Sequence, residues 1–150
     1  MQIFTIGFTK KSAKSFFELL RLNKVKTVLD VRLNNNSQLA GFAKGNDLRF
    51  FLTDFCDIKY IHDKDFAPTK VLLDDYKNKK ITWAQYEVIF SELLLERKIK
   101  KKIEGKYISI LDNLCILCSE AIAEKCHRRL VAEYIKNSFP ELKIQIKHLE

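Results

Sequence analysis

Asn113-Leu114-Cys115-Ile116-Leu117-Cys118 is apolar at five consecutive positions. An amphipathic helix or a half-wet strand would interrupt such a run with polar residues, so the segment reads as a strand covered on both faces. Its expected place is the middle of a sheet, and the flanking segments must then supply helices to both sides. Before it lie three shorter strand patterns. Ile3-Phe4-Thr5-Ile6, closed by Gly7, precedes a helix that Ser12 can cap and that carries Phe16, Phe17, Leu19 and Leu20. Val25-Lys26-Thr27-Val28-Leu29-Asp30-Val31 is rich in β-branched residues, and Ile58-Lys59-Tyr60-Ile61-His62 alternates in character. Between these two, Asn34-Asn35-Asn36-Ser37 through Gly41 and Gly45 reads as a loop, and Asn46 or Asp47 opens a helix with Leu48, Phe51, Leu52 and Phe55 on one face.

Pro68 suits the first turn of a helix carrying Val71, Leu72 and Tyr76. Thr82-Trp83-Ala84-Gln85 fits a capping box for a long amphipathic helix through Tyr86, Ile89, Phe90, Leu93 and Leu94. Beyond the central strand, a helix from about Glu124 turns Leu130, Val131, Tyr134 and Ile135 inward and stops near Pro140, and Ile144 to Leu149 forms a last strand. Strands alternating with helices predict an α/β fold: a single domain over residues 1–150, with an open, mostly parallel sheet of about five strands, right-handed crossovers and helices on both faces.

Composition agrees with one globular domain. The 150 residues are 47% apolar with only four Gly and two Pro, which excludes disordered and collagen-like classes. The longest uninterrupted aliphatic run is Leu93-Leu94-Leu95, so no membrane span is expected, and without a basic leader before an apolar stretch the chain reads as cytoplasmic. Lys and Arg number 27 against 19 Asp and Glu, for a net charge of +8. Much of the excess lies in residues 77–106, where Lys77, Lys79, Lys80, Arg97, Lys98, Lys100, Lys101, Lys102 and Lys106 face only Glu87, Glu92, Glu96 and Glu104. Such a stretch is either a solvated helix end, with cations at the negative pole of the macrodipole, or a surface for nucleic-acid phosphates.

In an open parallel sheet, ligands bind outside the carboxyl ends of the strands. Those ends would gather Gly7, Phe8 and Thr9 from the first strand, Asp30 and Arg32 from the second, His62 from the third, and Cys118, Ser119 and Glu120 from the fourth. Cys126-His127-Arg128-Arg129 opens the following helix, whose unpaired amides would face the same crevice. The pattern Thr5-Ile6-Gly7-Phe8-Thr9, Leu29-Asp30-Val31-Arg32, Cys118-Ser119-Glu120 and Cys126-His127-Arg128-Arg129 resembles the domain of unknown function 488 family of bacterial and archaeal proteins. The loop Ser37-Gln38-Leu39-Ala40-Gly41-Phe42-Ala43-Lys44 is similar to the branch of that family with a Leu-Ala-Gly-Phe element. The resemblance implies an α/β sheet with its motifs at one end and no established reaction. The chain departs from the family at Phe8, where many relatives carry His, so no general base is expected there. Asp30-Val31-Arg32 is also similar to the Asp-x-Arg of rhodanese-like domains, but these need a nucleophilic Cys in a loop, and Cys56 falls inside a helix pattern.

Each residue type in the crevice has a chemical and a structural reading. Cys126 beside His127, Arg128 and Arg129 has the electropositive setting of a thiolate, and Cys118 is close enough in sequence to pair with it; both thiols would equally serve as apolar filler. Cys115, Cys118, Cys126 and His127 offer four metal ligands, but strand alternation sends Cys115 and Cys118 to opposite faces, so no metal and no cofactor is expected. Glu120, straight after a buried strand, needs a cation such as Arg128 or Arg32, either as an architectural pair or as a base or nucleophile. Asp30 is expected near Arg128, which would leave Arg32 free for a phosphate. His62 reads as a satisfied structural residue, and His148 carries no signal.

The leading expectation is an enzyme on a small anionic ligand, nucleotide- or nucleic-acid-derived. Glu120, Cys118, Cys126 and Asp30 would carry the chemistry, and Gly7, Thr9, Arg32, His127 and Arg128 would line the substrate. The alternatives are a basic nucleic-acid-binding module and a thiol redox or metal sensor; homo-oligomerisation is left open.

Overall fold

A computed structural model describes residues 1–36 and 40–150. The strands are β1 (Gln2–Gly7), β2 (Thr27–Asp30), β3 (Lys59–His62), β4 (Leu114–Cys118) and β5 (Gln145–Leu149). They form one sheet in the order β3-β2-β4-β1-β5, with every pairing parallel. The strand with the unbroken apolar run is therefore the central one, and all five of its residues are buried. Alternation divides its side chains between two cores. Leu114, Ile116 and Cys118 face one, and Cys115 and Leu117 face the other.

The second of these cores is covered by α1 (Ala13–Leu22), through Phe16 and Leu20, and by α2 (Gly45–Phe50), through Leu48 and the following Leu52. The first is covered by α3 (Lys70–Lys77), α4 (Trp83–Glu96), α5 (Ile99–Lys102) and α6 (His127–Ser138). Ser12 caps α1 by accepting the Ser15 amide, and Thr82 and Gln85 make both bonds of the capping box on α4. Chain leaving β1 thus crosses to one face, whereas chain leaving the adjacent β4 crosses to the other. Their carboxyl ends bound the crevice where diverging connections leave room for a ligand.

Several local expectations are corrected. Helix α2 starts at Gly45 rather than Asn46 or Asp47, with Lys44 at the cap position and no side-chain cap, and it widens into a π turn over Phe51–Phe55 that rotates Phe55 out of the expected apolar face to 72% exposure. Pro68 lies ahead of the cap; Thr69 accepts the Leu72 amide, the helix starts at Lys70, and Val71 is exposed. The last helix begins at His127 rather than Glu124, with Cys126 at its cap position. Gly41–Ala43 within the long loop is a 3-10 turn, and the Ser37-Gln38-Leu39 portion of the loop element lies outside the described residues. Among the described residues, no helix is long and apolar enough to cross a membrane.

The basic stretch does not close α4, whose last turn holds no cation. Two of its members turn inward instead. Arg97 donates to the carbonyls of Asp65 (2.8 Å) and Ala67 (2.6 Å), and Lys102 bonds Asp63 (2.8 Å) and Asp65. Asp63 is buried and also accepts the Tyr107 hydroxyl at 2.5 Å. Burial alone would raise its pKa, but Lys102, Tyr107 and the Asp65 amide together hold the carboxyl below its ordinary value. The folded chain therefore binds this proton less readily than the unfolded chain. The resulting stability is fully present above the unfolded value of about 3.9 and is lost as pH falls through the folded one. Tyr107→Phe keeps the ring on Phe66 (5.6 Å between centroids) and removes the bond. The expected cost is about 1–3 kcal/mol at pH 7. Denaturant titrations should show that gap closing as the pH is taken below the carboxyl's folded value.

Candidate functional site

The carboxyl ends of the strands are level: Gly7 pairs with Cys118, Asp30 with Leu117, and Asp30 with His62. The predicted residues accordingly come to one edge of the sheet, where β4 divides them into two groups.

On the β2 side, Arg32 folds back on Asp30. Its Nε and Nη2 donate to the two carboxylate oxygens at 2.8 and 2.6 Å, and its amide donates to Asp30 Oδ1 at 3.1 Å. Tyr60 donates to Asp30 Oδ2 at 2.6 Å. The pair is almost wholly buried, so burial works against Arg32's charge, but the bonds to Asp30 outweigh it and raise the pKa. The Tyr60 hydroxyl is pushed up by burial and then by the neighbouring carboxylate. Asp30 is therefore not the partner of Arg128, and Arg32 is not a free cation, as the sequence had suggested; residues two apart at a strand end project to the same side, so the local pairing wins. Arg32 Nη1 is buried without a hydrogen-bond partner among the described residues. The guanidinium lies over the Phe8 ring, 5.2 Å from its centroid. His62 Nε2 bonds the Arg32 carbonyl at 2.8 Å, the structural role expected of it.

Beside this pair, Cys118 ends the central strand and Cys126 and His127 open α6. The two sulfurs and a ring nitrogen lie within 4.8 Å of one another, and all three residues are buried. His127 Nε2 contacts the Val31 carbonyl at 2.9 Å; a carbonyl only accepts, so Nε2 carries the proton. Cys118 Sγ is 3.7 Å from both ring nitrogens. The ring is steered by stacked aromatics on α4: Trp83 on Tyr86 at 4.9 Å, Tyr86 on Phe90 at 6.0 Å, and Phe90 against His127 at 5.7 Å. Arg129 fastens α6 to α4 through Glu87. The neighbouring Cys126 thiol, within 4.8 Å, holds the Cys118 thiol below its ordinary value in spite of burial, helped by the Ser119 amide and Arg128. Cys126 is pushed up by the nearby Cys118 and by burial. Cys115, on the other face, is raised by burial.

On the β1 side, Glu120 corrects the expectation of a buried acid. Its side chain is exposed, and its carbonyl rather than its carboxylate meets Arg128 Nη1, at 2.5 Å. The chain turns at Ser119, so the residue after it leaves the core. Arg128, fully buried, spends its donors on this turn: Nη1 on Glu120, Nη2 on the Ala121 carbonyl (3.3 Å) and Nε on Thr5 Oγ1 (3.4 Å). Because Arg128 can only donate, Thr5 Oγ1 accepts from it and gives its own proton to His148 Nδ1 at 2.7 Å. Burial and Arg128 push the His148 pKa down. No local pattern announces this chain of bonds, which the Thr5–His148 register of β1 and β5 creates. Thr9 bonds the Ser119 carbonyl through both its amide (3.1 Å) and its hydroxyl (2.5 Å). Gly7 sits directly under the Glu120 carbonyl.

Above this stapled turn lies an open cleft of about 360 Å³, lined by Thr9, Lys10, Glu120, Ala121, Ile122, Glu124 and Lys125. Thr9 and Glu120 were legible as strand-end residues. Lys10 and Lys125 were missed, because single lysines in a Lys-rich chain carry no pattern. Comparisons with curated proteins and with solved structures find no match. The family comparison does: residues 12–135, most of the chain and both strand-end motifs of its second half, match one family throughout, and this chain belongs to that family, described as Domain of unknown function DUF488.

Proposed function

We propose that the protein is an enzyme acting on a small anionic, nucleotide-derived substrate held in the cleft over the ends of β1 and β4. The observation that carries the reading is the position of that cleft, where connections from two adjacent parallel strands part to opposite faces, with Lys10 and Lys125 lining it together with the exposed acids Glu120 and Glu124. In this reading the lysines bind phosphate and Glu120 acts as base or nucleophile. Arg128 supports the site from beneath through Glu120 and Ala121 rather than touching substrate, and Asp30 lies on the other side of β4.

A melting-temperature screen against nucleotides, nucleosides, sugar phosphates and short oligonucleotides tests it. A nucleotide at a hundred times its Kd should stabilise the fold by about 2.7 kcal/mol, roughly 5–10 °C for a chain of this length. Lys10→Glu with Lys125→Glu, both on exposed residues, should remove that shift without lowering the unliganded Tm. If no phosphate-bearing compound stabilises the protein, or if the double variant responds as the parent does, the reading is wrong. The basic-module alternative keeps the exposed lysines Lys100 and Lys101 for support, but has lost Arg97 and Lys102 to internal bonds. Stabilisation by oligonucleotides alone, abolished by Lys100→Glu with Lys101→Glu, would transfer the function to that face.

A further inference from the structure

We infer that Cys118, Cys126 and His127 form a binding site for a thiophilic divalent cation of the zinc class, with the two sulfurs and His127 Nδ1 as ligands. The site lies on the β2 side of β4 and does not rest on the cleft reading.

Three observations converge on it. The donor atoms already lie within 4.8 Å of one another, and Cys118 Sγ is 3.7 Å from the ring nitrogen. Tetrahedral coordination at zinc–sulfur and zinc–nitrogen lengths of about 2.3 and 2.0 Å places neighbouring ligands about 3.6–3.8 Å apart, within about an ångström of the separations here. Next, the imidazole has one nitrogen to offer. With Nε2 committed to the Val31 carbonyl, Nδ1 carries the lone pair; Cys118 Sγ, 3.7 Å from both ring nitrogens, packs against the ring off that lone pair's axis, so coordination requires the sulfur to shift toward Nδ1. A second ring nitrogen fixed by a backbone carbonyl is the usual support of a metal-bound histidine. A filler role accounts for two buried sulfurs but not for a buried imidazole packed against them.

The third observation is the ligand count. Cys115 points into the opposite core, which removes the fourth ligand that a closed structural site would need. Three protein ligands are the number found in zinc sites that keep one position for water or substrate. The reason that excluded a four-ligand knuckle is thus the reason the remaining three suit an exchangeable centre. Binding would release the two thiol protons, and the dithiolate would neutralise the ion.

Tag-free full-length protein titrated with Co²⁺ alone provides the test. One equivalent should give a thiolate-to-cobalt charge-transfer band in the near ultraviolet and the intense visible bands of tetrahedral cobalt, both abolished by one equivalent of Zn²⁺. Cys118→Ser and Cys126→Ser should each weaken cobalt binding at least about 100-fold, more than loss of a supporting hydrogen bond would; Cys56→Ser should not. X-ray absorption on the zinc-loaded parent needs no variant to fold, and should return two sulfur scatterers at about 2.3 Å. Absence of the charge-transfer band, or a zinc shell of nitrogen and oxygen only, would overturn the site while leaving the nucleotide screen unaffected.

Discussion

Gly7→Ala is expected to destabilise the fold more than substitution of either glycine whose surroundings are open. The added methyl carbon would sit 1.6 Å from the Glu120 carbonyl oxygen, 2.6 Å from its carbon and 3.0 Å from Arg128 Nη1. Two of the three obstacles are backbone, so no side chain can swing aside. Gly7 has no positive φ, and its need for hydrogen in place of a side chain comes from close approach alone. Relief requires lifting the Ser119–Ala121 turn, which forfeits the Arg128 bond to Glu120 and both Thr9 bonds to Ser119. The fully buried Arg128 donor left unmade costs about 1–3 kcal/mol, and the exposed Thr9 bonds add less. With the displaced backbone added, the loss is a large part of the roughly 5–15 kcal/mol that separates a native domain from its unfolded chain. Gly41→Ala and Gly105→Ala are the internal controls, because nothing lies within 4 Å of either new methyl group. Both should melt close to the parent. A Gly7→Ala variant that did the same would mean that the turn over β1 is not fixed.

The same glycine marks the limit of what the sequence reveals. Its position at a strand end is legible, and so is its membership in a strand-end motif. Its reason is not, since the atom that excludes a side chain belongs to a residue 113 positions away in the chain. The sheet could be read because each strand announces itself locally: β4 by an unbroken apolar run, β1 and β2 by β-branched patches closed by breaker or polar residues. Central placement of β4 followed from burial on both faces and not from any pairing signal. The convergence of Cys118 with Cys126 and His127 could also be read, because a strand end and the next helix start are joined by a short connection. What failed depended on side-chain direction or on docking. Asp30 and Arg32 were assigned to distant partners although their spacing suits each other. Glu120 was expected to need a cation for its carboxylate, although the turn at Ser119 carries the side chain into solvent and leaves only its carbonyl to Arg128. The inward bonds of Arg97 and Lys102 are set by how the Asp63–Ala67 segment meets α5, a contact between segments over thirty residues apart that no local pattern encodes.

The Asp30–Arg32 pair yields the second large effect. Asp30→Leu should cost about 3–5 kcal/mol, because it strands a buried guanidinium and deprives Tyr60 of its acceptor. Arg32→Met alone should be costly for the mirror reason, leaving a carboxylate with no exposure and only the Tyr60 hydroxyl and the backbone amide at position 32 to meet it. The double variant should be more stable than either single one, since removing both charges removes both desolvation costs, and adding Tyr60→Phe should recover more. A double-mutant cycle by urea denaturation reads the coupling directly. Additive losses would mean that the two charges are solvated well enough to stand alone, which their burial argues against. Recovery in the double variant carries a functional corollary. A pair that apolar side chains replace at small cost is not needed to hold β2 against β4, so its retention would point to the third guanidinium nitrogen, which the pairing leaves beside the Phe8 ring and next in sequence to the carbonyl that orients His127.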